Sequence, residues 1–315
     1  MSKHFFLWRL LLSLCMICFA GLALPVQAAP TVVIVSSERS PAYVEAAEAL
    51  VSELESRGLS RYEMLQVTVG ELAAAGPLAP RLFVALGSAA ANALAKSELR
   101  TPVLCTLLPR SSFERALQAS GRKSSPQFSA LYLDQPLSRQ LELIRLALPE
   151  ARRIGVLWGL ESQSQAAALK SQAQARGLEV VEATVGRDES LFPNLKRVLE
   201  DADVLLAQAD PLVYNSSNIQ NILLASFRAK LAMVAFSPAY VRAGALLALH
   251  VTPAQIGVQA GVLSWGVLQD KALSATPLYS RDFSVAVNEH VARSLGLSLD
   301  GAALRARLLR REGAP

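Results

Sequence analysis

The stretch LFVALGSAAANALAKSELRTPVLCTLL, residues 82–108, decides the fold. An apolar, β-prone run ends in a Gly-Ser pair, an Ala/Leu-rich segment of helical composition follows, and a second apolar run, PVLCTLL, closes the unit. Two short apolar runs separated by one helix length mark a parallel βαβ crossover, because parallel strands cannot be joined by a tight hairpin.

The same alternation extends in both directions. Upstream lie VVIVSS (residues 32–37), a helix over about 41–57 with Val44, Ala47, Leu50, Val51 and Leu54 on one face, and a strand near 64–69. Downstream come a helix at 137–148, RIGVLWG (153–159), a helix at 162–176, LEVVEATV (178–185), a helix at 192–199, VLLAQAD (204–210), a helix at about 216–230 and LAMVAFS (231–237). Val32 and Ile154 are 122 positions apart, and so are Leu82 and Val204. The repeat predicts an α/β fold of two similar Rossmann-like lobes with parallel sheets. GALLALHV (244–251), a helix near 253–268 and TPLYSRDFSVAVN (276–288) are too few for a third domain and are expected to complete the two sheets. Residues 29–135 plus about 244–275 are assigned to the first lobe, and 136–243 plus about 276–315 to the second. The chain would then cross near 134–136, 240–244 and 272–277, a multi-strand hinge suited to closing around a ligand. One final helix is expected over about 288–311, ending in Arg305, Arg307, Arg310 and Arg311.

Residues 1–28 have the grammar of a cleavable secretory signal: Lys3, His4 and Arg9, an apolar run over 10–24, then Pro25 and small residues at Val26 and Ala28. The run is shorter than the roughly 20 residues a membrane-spanning helix needs. Cys15 and Cys18 lie inside it without a lipoprotein context. Cleavage after Ala28 leaves 287 residues in the periplasm, and with Lys3 and Arg9 gone the formal charge falls by two from +5 to +3. That is too little to argue for nucleic acid. Cys105 is the one thiol left, so an intramolecular disulfide is excluded and stability must come from the apolar core.

No catalytic constellation stands out: there is no phosphate loop, nucleophile elbow or HExxH motif. With only His250 and His290 in the mature chain, a histidine metal site is not expected, nor is a cofactor. Cys105, inside an apolar strand, reads as core. Small or polar residues do recur where strands run into helices, the edge at which open α/β sheets bind ligands. They are Ser36 and Ser37 after the first strand, Gly87 and Ser88 after the third, Gln208, Asp210 and Tyr214 after VLLAQAD, and Ser237 with Tyr240 after LAMVAFS. Tyr43 and Trp158 join Tyr214 and Tyr240 as flat walls with a polar handle. Gly87-Ser88 at a helix start offers amides to an anion, or simply caps the helix. Asp210 is placed to pair with an ammonium group, or to begin a helix with Pro211.

Four segments carry a family resemblance: residues 82–108; QLELIRLALPEARRIGVLWG (140–159); FSPAYVRAGALLALHVTPAQIGVQAG (236–261); and FSVAVNEHVARSLGLSL (283–299). In this order the chain resembles substrate-binding proteins of ABC transporters with the type I periplasmic binding fold, in the group that includes tryptophan/tyrosine-type binding proteins. The resemblance implies a non-enzymatic receptor that captures a small solute, an amino acid among the candidates, and presents it to an inner-membrane permease. Two other readings stay open: a periplasmic sensor reporting to a membrane signalling protein, and a secreted α/β enzyme. The chain departs from the family's pattern at residues 109–136, which lack its Asp-Pro and Gly-rich stretch, in its first loop at 32–45, and at 204–215.

Overall fold

A computed structural model describes residues 29–187 and 189–313. The proposed signal segment lies outside them. Two six-stranded sheets form the frame. The first contains β1 (Val32–Ser36), β2 (Met64–Thr68), β3 (Leu82–Leu86), β4 (Val103–Thr106), β5 (Phe128–Tyr132) and β11 (Leu278–Tyr279), in the order β11-β5-β4-β3-β1-β2. The second contains β6 (Arg153–Trp158), β7 (Glu179–Thr184), β8 (Val204–Leu206), β9 (Ala232–Ala235), β10 (Leu247–His250) and β12 (Ser284–Val287), in the order β12-β10-β9-β8-β6-β7. Every pairing is parallel except β10 with β12. The 122-residue spacing has a direct meaning here. Val32 faces Leu82 across β1 and β3, and Ile154 faces Val204 across β6 and β8, so both lobes use one register.

Helices cover both faces of each sheet. The first lobe carries α1 (Pro41–Ser56), the short α2 (Val69–Leu72), α3 (Ser88–Lys96), α4 (Arg110–Ser120) and, from late in the chain, α10 (Pro253–Leu268). The second carries α5 (Leu137–Ala147), α6 (Ala166–Gln174), α7 (Leu191–Asp201), α8 (Ile219–Arg228), α9 (Pro238–Ala243), α11 (Glu289–Ser294) and α12 (Gly301–Glu312). Strands β1 and β3 are buried on both faces, hence their unbroken apolar runs. Each sheet separates two apolar clusters. In the first lobe, Ile34, Leu50, Leu86 and Ile256 lie in one cluster, and Val33, Phe83, Cys105 and Phe113 in the other. Burying one such Leu or Phe contributes about 1.5–3 kcal/mol. No described helix is long and apolar enough to cross a membrane.

The late elements depart from the sequence expectation. β10, expected to return to the first lobe, pairs with β9 in the second. Residues 276–288, assigned whole to the second lobe, hold two strands in different sheets, β11 beside β5 in the first and β12 beside β10 in the second. The crossings therefore fall at residues 133–136, 251–252 and 280–283. The cause is polar: Ser280 donates its hydroxyl to the Asp282 carbonyl, turning the chain between the two strands. The single terminal helix is also two, because Asp300 caps the Ala302 amide and starts α12 anew.

The three crossings are tied to one another. Buried Arg139 on α5 binds the Gln135 side chain on the first crossing, the Ser280 carbonyl on the third and both carboxylate oxygens of Glu312 on α12, and its guanidinium lies 4.2 Å from the Phe283 ring centre. Gln259 of α10 accepts from the Arg281 amide, and its Oε1 lies 2.9 Å from the Ser280 hydroxyl oxygen. Gln255, one turn earlier, bonds Ser284.

Candidate functional site

All strands but β12 aim their carboxyl ends at the space between the lobes. A chamber of about 330 Å³ lies there. From the first lobe come Ala42 at the start of α1, Leu107 and Pro109 after β4, and Pro253 opening α10. The second lobe contributes Ala209 after β8, Phe236, Ser237 and Pro238 after β9, and His250 at the end of β10. Leu133 and Asp134 come from the first crossing, Val251 from the second. Leu107 holds a left-handed φ of +55°, which costs a side-chain-bearing residue about 1–2 kcal/mol and places the chain's bend at the chamber wall.

The chamber is apolar on most sides and polar at its inner end. There a smaller space of about 20 Å³ is lined by Asp134, Gln135, Gln140, Gln208 and Phe236, among others. That is room for about one water or one terminal group of a ligand. Burial raises the Asp134 carboxyl above its ordinary range, against the lowering effect of its hydrogen bond from the Arg110 amide at 2.5 Å. Buried Gln135 gives its carbonyl oxygen to Arg139, but its Nε2 has no hydrogen-bond partner. Gln208 donates to Gln140 at 2.7 Å. Across the chamber, burial lowers the His250 pKa and favours the neutral ring. No lysine or arginine lines either space. The inner end thus offers an acid and an amide donor without a partner, and the wall of the larger chamber a neutral imidazole.

The residues singled out from the sequence divide sharply. Ser237 lines the chamber and Gln208 its inner end. Tyr240 stands behind Phe236, ring centres 5.0 Å apart, and Tyr214 behind it at 6.1 Å, so both brace the aromatic wall. Ser36 and Tyr43 line a separate pocket of about 170 Å³ at the β1–β2 edge, with Glu38, Arg39 and Thr68. Ser37 is a structural cap: its Oγ accepts from the Ala90 amide and donates to the Leu86 carbonyl. Gly87 has φ +88°, and a Cβ there would lie 2.5 Å from the Tyr43 hydroxyl, so the turn before α3 admits only glycine. Ser88 follows it as the first residue of α3 and lines neither interlobe space.

Two candidates are corrected outright. Trp158 is core, 1% exposed, with its indole N–H donating to Glu182 at 2.8 Å. Asp210 is 2% exposed and already filled: one oxygen accepts from the Glu161 and Ser162 amides and the Ser162 hydroxyl, the other from the Leu212 amide. It fastens the loop after β6 to the loop after β8. A Cβ on Gly159 would overlap this carboxylate, which is why glycine stands there. Asp134, Gln135, Phe236 and His250 were not among the sequence candidates. Each sits at a strand exit or crossing, a signal already present. Cys105 is fully buried, and burial pushes its thiol pKa up, leaving no nucleophile. Among the described residues no cluster of His, Cys, Asp or Glu has the arrangement of a metal site.

An ion pair spans the cleft: Arg115 on α4 meets Glu161 in the loop after β6 at 2.7 Å. Glu161 is held in turn by its amide's bond to Asp210.

Comparison with known proteins agrees with this geometry. The family model described as ABC transporter substrate binding protein matches residues 77–306. A tyrosine-binding protein of Clostridioides difficile is 23% identical over 223 residues, covering 69% of this chain and 63% of the relative. The ligand-free, open form of a substrate-binding protein with adhesive properties from Clostridium difficile superposes with a TM-score of 0.68 at 21% identity, over 85% of this chain and 95% of that one. An ABC domain in complex with L-Trp from Streptococcus pneumonia gives 0.62 at 17% identity, over 88% and 98%. With the family model spanning most of both lobes, the chain belongs to the ABC transporter substrate-binding protein family.

Proposed function

We propose that the protein captures a small solute carrying a positively charged nitrogen and an apolar body, an amino acid being the leading case, and delivers it from the periplasm to an inner-membrane ABC permease. The observation that supports this most is the inner end of the interlobe chamber. Asp134 supplies an acceptor for an ammonium group, and the unpartnered Gln135 Nε2 supplies a donor for a carboxylate or carbonyl oxygen. Leu107, Pro109, Leu133, Phe236 and Pro238 supply apolar walls, and about 330 Å³ falls within the usual size range of small-molecule sites. The names of the relatives, a tyrosine-binding protein and an L-Trp complex, point the same way. Because residues from both lobes touch the same chamber, a solute there favours the closed arrangement by its differential contacts, and closure is what a permease can read.

The test is isothermal titration of residues 29–315 with a panel of amino acids, amines and sugars, repeated on Asp134→Asn. Binding of an amine-bearing member that weakens about tenfold or more in the variant supports the reading. Binding confined to sugars, or an affinity indifferent to Asp134, overturns it. A neighbouring permease and ATPase gene pair fits delivery, whereas a sensor kinase gene in that place transfers the same capture to signalling.

A further inference from the structure

A cavity larger than the chamber lies outside the cleft. A space of about 590 Å³ opens at the opposite end of the second lobe, lined by Leu223, Ser226, Phe227, Arg228 and Lys230 of α8 and its cap, Leu231 and Met233 at the start of β9, Gly244, and Val291, Ser294 and Leu295 of α11. Leu231 and Gly244 precede β9 and β10, whereas the solute chamber is lined by residues that follow them. At about 3.3 Å per residue the two spaces are separated by the length of the strands, roughly 15 Å.

Three features distinguish this cavity from a packing defect. Its floor is apolar: Leu223, Leu231 and Met233 are buried, and Val291 and Leu295 are partly so. Ser226, only 2% exposed, lines it with a hydroxyl that has no hydrogen-bond partner, although a mid-helix serine ordinarily bonds the carbonyl one turn back. Its rim carries Arg228 and Lys230, neither in an ion pair among the described residues, and no carboxylate lines it. Lys230 sits at the left-handed cap of α8, φ +54°, a place glycine usually takes. Phe227 stands 66% exposed beside them. A buried hydroxyl left unsatisfied is destabilising, and a ligand acceptor would recover that loss.

We infer that this cavity is a second binding site, distal to the solute chamber, for an amphipathic anion: an alkyl chain on the apolar floor, an acidic head between Arg228 and Lys230, and a head-group oxygen on the Ser226 hydroxyl. A purely apolar ligand would leave the hydroxyl and both cations unused. A small inorganic anion would leave the floor exposed.

The probe is decanoate below micelle-forming concentration, titrated calorimetrically into residues 29–315, with decyltrimethylammonium and acetate as controls. Decanoate is expected to bind with one-to-one stoichiometry and at least about tenfold more tightly than either control. Arg228→Glu with Lys230→Glu changes exposed side chains only, so the fold is retained, and it should weaken decanoate by about tenfold or more while leaving decyltrimethylammonium unweakened. Ser226→Ala removes only the hydroxyl and should weaken decanoate a fewfold. Asp134→Asn, in the interlobe chamber, should leave decanoate affinity unchanged. Decanoate that fails to bind, or that binds the doubly charge-reversed variant as well as the native chain, refutes the inference. Affinity lost in Asp134→Asn places the probe in the interlobe chamber and refutes it equally. None of these outcomes depends on which solute the chamber takes.

Discussion

Replacing Asp210 separates a loop-organising role from a ligand-binding one. Its Oδ2 receives the Glu161 amide at 3.0 Å and the Ser162 amide and hydroxyl at 2.9 Å each, while Oδ1 receives the Leu212 amide at 2.9 Å. Asp210→Ala strands those donors in a place where Ser162 is wholly buried. At about 1–3 kcal/mol per buried unsatisfied group, and allowing for a water entering the space, the loss is about 3–5 kcal/mol. For a chain of this size that lowers the melting temperature by roughly 8–15 °C. Asp210→Asn keeps one oxygen but turns an NH2 toward at least one amide N–H, so it should lose about 2–3 kcal/mol, or roughly 5–10 °C. Differential scanning calorimetry reads both. Solute affinity at a temperature where the variants are folded should fall only modestly, through the displaced Glu161 loop. Melting within 1 °C of the native protein together with abolished binding would refute the reasoning and return Asp210 to the solute.

The hinge, the latch and the chamber each make a further prediction. Arg139→Met fills similar volume but abandons Glu312, Gln135 and the Ser280 carbonyl, and should cost about 2–4 kcal/mol in urea denaturation, more than replacing any exposed arginine. Arg115→Ala removes a half-exposed pair that stabilises by about 0–1 kcal/mol, so melting should barely move, whereas solute affinity should drop up to about threefold at low salt and converge with the native value at 0.5 M salt, read by titration calorimetry. Acidification from neutral pH should weaken solute binding, because Asp134, with its raised pKa, takes up a proton early and His250 then gains charge facing it across the chamber. The stability term from Asp134 has the opposite sign: a carboxyl raised in the folded state favours folding as pH falls through that value. Native and Asp134→Asn titrations at several pH values should therefore converge in acid.

The fold was largely legible in the sequence because its determinants are local and repeated. Apolar runs such as VVIVS and LFVAL are buried on both faces and announce parallel strands, and the equal spacing of Val32–Ile154 and Leu82–Val204 reflects a shared register. The late strands were harder. β11 is two residues and β12 four, too short to show which sheet they join, and the partner of each is decided by the turn at Ser280–Asp282 and by Arg139, more than a hundred residues away. The site was legible as a location and less so as a set of side chains. The chamber lies at strand exits, where the sequence places its candidates, yet periodicity does not reveal whether an exit residue faces the cleft or its own lobe. Trp158 and Asp210 turn inward because Glu182 and the Ser162 loop satisfy them there. Asp134 and His250, read as a crossing and a strand residue, line the chamber because the chain leaves one lobe at each of them.

The most direct test of the central claim is a crystal structure of residues 29–315 with the tightest-binding member of the solute panel. The account predicts the solute enclosed by both lobes, its nitrogen about 3 Å from the Asp134 carboxylate, an oxygen at Gln135 Nε2, and its apolar part against Phe236 and Pro109. A solute seated instead in the β1–β2 edge pocket beside Tyr43, or held by Asp210 after displacement of Ser162, would contradict it.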